Sequence, residues 1–141
     1  MKLNSLKLDL NAAEDGVYFP FPDGAKVKIA KWANKNHAAF LREAVKKYNK
    51  KIKAGVITDD QADYLLAEQW PTIITDIVGF TEDDGVTEVK YSPNLIIDLA
   101  RNPQFSEFFN GVELISRDEQ NYRAESVKEL GENLPSSSLG Q

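Results

Sequence analysis

A mainly helical α+β fold, with a small N-terminal β-hairpin and a helical domain of about five helices, is what this sequence predicts. Three observations carry that expectation. Residues 36–54 place apolar side chains at helical spacing and run into Gly55. Residues 91–109, YSPNLIIDLARNPQFSEFF, contain two helix starts written in one grammar, a capping side chain followed by proline. Residues 16–32 alternate instead of turning, around an Asp-Gly dipeptide.

In chain order, residues 3–10 (LNSLKLDL) space Leu6, Leu8 and Leu10 two apart, which suits a short strand or an extended arm. The hairpin comes next, at about 16–32. Val17, Tyr18 and Phe19 are strand-forming, Asp23-Gly24 makes the turn, and Val27 and Ile29 alternate with Lys26 and Lys28. Pro20 and Pro22 cannot donate to a ladder, so the first strand belongs at a sheet edge.

The helix at about 36–54 takes Asn36 as its candidate N-cap. Phe40, Leu41, Ala44, Val45, Tyr48 and Ile52 fall within one arc at about 100° per residue, and Arg42, Lys46, Lys50 and Lys53 fall opposite. A second helical segment, about 58–78, starts with a Thr58/Gln61 capping-box pattern and carries Ala62, Leu65 and Leu66. Pro71 forces either a kink there or a stop near Gln69 and a fresh helix through Ile74 to Val78. An acidic Asp83-Asp84-Gly85 turn between two very short strands leads to Tyr91.

The third helix, about 93–101, has Ser92 as cap and Pro93 at its first position, with Leu95, Ile96 and Leu99 as its stripe. Asn102-Pro103 stops it and opens the fourth, about 103–117, whose Phe105, Phe108 and Phe109 recur at i, i+3, i+4 and read as core. Gly111 weakens that helix by roughly 1 kcal/mol relative to alanine and marks a place where it could break. A fifth short helix covers about 121–130. These elements are expected to form one domain over residues 1–130, with GENLPSSSLGQ at 131–141 as a flexible tail.

The 141 residues hold no cysteine, no bilayer-length apolar run of roughly 18 residues and no signal-peptide core. The expectation is a soluble protein of a reducing cytoplasm. Charge is unevenly distributed. Residues 26–53 carry ten Lys/Arg and one acid, a balance of +9, while residues 54–89 carry nine Asp/Glu and no Lys or Arg, a balance of −9. A chain so divided can neutralise itself internally or pair with a second copy, the lysine face meeting an acidic stretch such as 59–68.

Chemistry finds little purchase. His37 is the single histidine and reads as an ordinary surface residue near a helix start, and with no cysteine there is neither a Cys-His pair nor a histidine cluster for zinc. The acidic turn lacks the alternating ligands and distal glutamate of a calcium loop and reads as solvated. No glycine-rich phosphate loop is present. We expect no enzyme activity, no cofactor and no metal. The lysine face Arg42, Lys46, Lys50 and Lys53 is either solvated or a protein-contact surface. Nucleic acid is disfavoured by the acidic total and by Tyr48 lying away from those cations. No membrane partner is expected.

One resemblance covers residues 3–125. A leucine-containing arm is followed by Glu14-Asp15-Gly16-Val17-Tyr18, Gly24, Ile29-Ala30-Lys31, Asn34 and Phe40, then by Asp76, Gly79, the turn from Thr81 to Gly85, and Tyr91-Ser92-Pro93 with its two helices. That order resembles the tail assembly chaperones of long-tailed (siphovirus-type) bacteriophages. Lys31 stands where arginine is common, and Ile77 where many members have tryptophan. The resemblance implies a non-catalytic viral protein of the host bacterial cytoplasm, absent from the mature virion, that binds the tape measure protein and keeps it soluble during tail assembly. The major tail protein is a further partner it suggests. It also implies a longer form made by ribosomal frameshift, extending from the tail after Gly131. A structural virion component, such as a minor tail or head–tail joining protein, is the alternative, with a nucleic-acid-binding adaptor behind it.

Overall fold

The structure, a computed structural model, describes residues 1–56 and 58–133. Among these residues the helices are α1 (Leu10–Asp15), α2 (Lys35–Lys53), α3 (Asp59–Glu68), α4 (Pro93–Arg101), α5 (Ser106–Arg117) and α6 (Ala124–Asn133). Strands β1 (Val17–Pro20), β2 (Lys26–Ile29) and β3 (Ile74–Val78) form one antiparallel sheet in the order β1-β2-β3. The mainly helical fold with an N-terminal hairpin is as expected, and the hairpin is joined by a third strand.

The hairpin turn is tight because Asp23 and Gly24 both adopt positive φ, 63° and 79°. β1 is an edge, where Pro20 costs no ladder bond. Val27 and Ile29 of β2 are fully buried in a core shared with Trp70, Ile73, Ile74, Ile96, Phe109 and Val112. A smaller cluster forms around Ala13, Val17 and Tyr122, with Leu8, Val127 and Leu130 packed on it.

β3 corrects the expected helix over 58–78. The capping box at Thr58 and Gln61 forms, but α3 stops at Glu68, and Trp70–Thr72 is a single 3₁₀ turn with Pro71 near its start. Proline removes the N–H a continuing helix would need. The strand beyond it, Ile74-Thr75-Asp76-Ile77-Val78, is β-branched at four of five positions and completes the ladder that β2 leaves open. Thr75 is the extra residue of a bulge opposite Lys28/Ile29.

The N-terminal stretch is also corrected. Residues 3–10 form no sheet strand: Leu3–Leu6 is a 3₁₀ turn, Leu8 makes one isolated bridge to Arg123, and Asp9 caps α1 by accepting from the Ala12 N–H. Gly16 then turns the chain at φ +99°, with Thr75 Oγ1 2.9 Å from where a Cβ would sit. α2 begins one residue before the expected cap. Asn34, not Asn36, caps it, its Oδ1 accepting from the N–H groups of Asn36 and His37 at 2.8 and 3.1 Å. Ser92 caps α4 as expected, Asn102 caps a 3₁₀ turn, Pro103–Phe105, that leads into α5 in place of a helix from 103, α5 continues unbroken through Gly111, and α6 runs to Asn133 where a tail was expected. The rest of the expected tail, residues 134–141, lies outside the described residues.

The six residues from Ile29 to Asn34 tie the elements together. Ile29 O accepts from Tyr122 Oη (2.9 Å), and Ala30 O from Ser116 Oγ (2.8 Å). Ala30 N–H donates to Ile73 O, Lys31 N–H to Ala13 O and Trp32 N–H to Ser116 O. Asn34 Nδ2 donates to Thr72 O. After β2 leaves the sheet, the N–H groups of Ala30, Lys31 and Trp32 and the Ala30 carbonyl all find partners on other elements, while Lys31 O and the Asn34 N–H pair with each other in a local turn.

Candidate protein-contact surface

α2 carries the predicted lysine face, and the structure places all four of its members outward. Arg42, Lys46, Lys50 and Lys53 are exposed, and of these only Lys46 has an acidic neighbour among the described residues, Glu43 at 3.6 Å. Such a pair on solvent contributes well under about 1 kcal/mol. The face is brought together by helical repetition alone.

Its surroundings differ from expectation. The apolar arc of α2 is only partly covered: Ala44 is buried and Phe40 and Tyr48 are half-buried, but Leu41 and Val45 remain 41% and 61% exposed. An open groove of about 390 Å³ lies between α2 and α3. Phe40, Ala44, Tyr48 and Leu65 make its apolar part, and Glu43, Lys47 and Glu68 line it with charge. Lys47 and Lys51 lie over the Tyr48 ring, 5.4 and 5.7 Å from its centre. These two lysines were absent from the predicted face because they sit toward the apolar arc. Their i, i+4 spacing around Tyr48 was the signal that could have found them.

His37 is a clear reversal. Far from the surface, it is fully buried. The Ala33 N–H donates to Nδ1 at 3.0 Å, which leaves the ring proton on Nε2, facing Gln69 Oε1 at 2.9 Å. Trp32 packs edge-on against the ring at 4.5 Å. Its burial follows from spacing, since His37 precedes Phe40, Leu41 and Ala44 by three, four and seven residues and shares their arc. From this pair an aromatic chain runs through Trp32, Trp70, Phe109 and Phe108 to Phe21, with neighbouring ring centres 4.8 to 5.8 Å apart. The phenylalanines expected in the core thus divide: Phe109 is buried, Phe108 packs against the core, and Phe105 is 39% exposed.

The acidic turn is an ordered projection. Thr81 and Glu88 bridge, Glu82 N–H donates to Thr87 O at 2.8 Å, and Val89 N–H to Phe80 O at 2.8 Å. The Thr87 hydroxyl and the backbone N–H groups of Val86 and Thr87 hydrogen-bond the Asp84 carboxylate and hold its pKa below the ordinary value. Every residue from 81 to 88 is exposed, and Val86 at the tip is 83% exposed. Glu82, Asp83, Asp84 and Glu88 have no ion-pair partner among the described residues.

Among the described residues no group of three or more His, Cys, Asp or Glu is placed to hold a metal ion, and no helix is long and apolar enough to cross a membrane. No family model, curated protein or solved structure matches the chain.

Proposed function

We propose that this chain is a non-catalytic tail assembly chaperone of a long-tailed bacteriophage, acting in the host cytoplasm. The observation that carries the reading is the order of sequence features from Glu14-Asp15-Gly16-Val17 through the acidic turn to Tyr91-Ser92-Pro93 and its two capped helices. Partly uncovered apolar surface beside unpaired cations on α2 supports it. A chaperone of a long helical client needs a surface that accepts apolar helix faces weakly and repeatedly, and a groove between two helices is one such surface. Copies of the chain self-associate, so that many act along one tape measure protein. The major tail protein displaces them as it polymerises.

The test is co-expression with the tape measure protein encoded beside it. Increased solubility of that protein is expected, and no change overturns the proposal. Mass spectrometry of purified virions supplies a second arm. Absence of this chain is expected, whereas stoichiometric retention would make it a structural component instead.

A further inference from the structure

The geometry points to a head-to-tail contact between copies of this chain, in which the acidic arm of residues 81–88 of one copy seats in the α2–α3 groove of the next. Val86 enters the apolar part of the groove, and Glu82, Asp83 and Glu88 face Lys47, Lys50 and Lys51. The inference deepens the self-association proposed above and rests on it. It is independent of what the client is.

Three features of the molecule select this occupant. The arm takes its shape from its own contacts, the Asp84 hydrogen bonds and the cross-arm pairs. A Cβ added at Gly85 would meet nothing within 4 Å, so the tip stands clear of the rest of the chain. The arm also offers an apolar side chain at its tip, since Val86 is more exposed than Leu41, Val45 or Leu66.

The groove is complementary in kind. Lys47 lines it on α2, Lys51 lies over the Tyr48 ring that forms part of it, and Lys50 stands on the outer face of α2 one helical turn from Lys47; none of the three has a carboxylate partner among the described residues. Glu68 on the α3 side is the opposing charge, while Glu43 already pairs with Lys46. The expected acidic partner, residues 59–68, is less well placed. Its Glu68 lines the groove of its own subunit, whereas residues 81–88 carry four carboxylates that project.

Because arm and groove are different surfaces, the contact repeats along an open chain of copies unless a ring closes. Being a contact of exposed charges, it weakens as salt shortens the screening length, to about 3 Å at roughly 1 M.

Sedimentation velocity tests this with two charge-reversed chains. One carries Glu82→Lys, Asp83→Lys and Glu88→Lys, keeping Asp84 because it orders the arm. The other carries Lys47→Glu, Lys50→Glu and Lys51→Glu. The unaltered chain is expected to form concentration-dependent oligomers in low salt that revert to monomer in high salt. Each reversed chain alone should be monomeric with an unchanged circular dichroism spectrum. Mixing the two should restore association, because each then offers the other a complementary surface, and a chain with both sets should associate by itself.

A monomeric unaltered chain at every concentration in low salt overturns both this contact and self-association. Oligomers that neither reversal alters, or a mixture that stays monomeric, overturn the arm–groove pairing and leave self-association standing. If the groove reversal abolishes solubilisation of the tape measure protein without changing sedimentation, the groove holds the client and the proposal fails. Loss of the chaperone reading has its own signature, unchanged client solubility with oligomers intact.

Discussion

His37 joins two segments that no ladder connects, the corner at Ala33 and the end of α3 at Gln69. Replacing it by alanine opens a cavity beside Trp32 and removes the ring partner of the Ala33 N–H and of the half-buried Gln69 side-chain amide. The expected cost is about 3 kcal/mol, combining cavity and unsatisfied-donor effects. Urea denaturation measures it, and a change below about 1 kcal/mol would mean that the ring's two hydrogen bonds contribute little. Tyr18 gives a pH-dependent counterpart. Burial, then its hydrogen bond to Asp76, pushes the phenol up from 10.0 to about 12. Since the folded value lies above the unfolded one, the neutral phenol's contribution is fully present below pH 10.0 and is lost as pH rises toward about 12. Stability measured across that window should fall less steeply for Tyr18→Phe than for the unaltered chain. Equal slopes would place the alkaline loss elsewhere, for instance at Tyr91, which burial also raises.

At the scale of elements, α5 carries a removable weakness. Gly111 lies within an unbroken helix, and a Cβ there would meet nothing within 4 Å. Gly111→Ala should therefore stabilise the fold by roughly 0.5–1 kcal/mol, through backbone entropy lost from the unfolded chain. A thermal midpoint that falls instead would show that Gly111 has a packing role. The same element-by-element view explains what the sequence disclosed and what it hid. Starts marked by a local side-chain-to-backbone bond were legible, as at Ser92, Asn102 and Thr58, because capping is decided within three or four residues. β3 was not, because Ile74 to Val78 become a strand only when β2 lies beside them, and a partner some fifty residues away leaves no local mark. His37 failed differently. A lone polar residue near a helix start looks exposed until the whole arc is drawn. For the contact surface, the outward position of Arg42, Lys46, Lys50 and Lys53 followed from period alone, but the groove depends on where α3 lies against α2, which no local pattern sets.

The molecule as a whole separates rigidity from availability. The residues from Ile29 to Asn34 bond to α1, α5, the Trp70–Thr72 turn and the segment ending at Tyr122, so breaking them requires the elements to part together. The C-terminal half of α2 and the arm at 81–88 have only their own local hydrogen bonds and open surfaces. Local unfolding draws on regions with few buried contacts, so amide hydrogen exchange should resolve two classes. The amides of Ala30, Lys31 and Trp32 should exchange only through global unfolding, with a denaturant dependence equal to that of the whole chain. Those of residues 45–53 and 82–88 should exchange through small openings nearly independent of denaturant. Concentration adds the deciding comparison. If arm and groove meet between copies, raising protein concentration in low salt slows exchange in both 45–53 and 82–88 and leaves the Ala30–Trp32 amides unchanged. Slowing confined to one of the two segments would mean that its partner lies elsewhere, because a head-to-tail contact must protect both surfaces or neither.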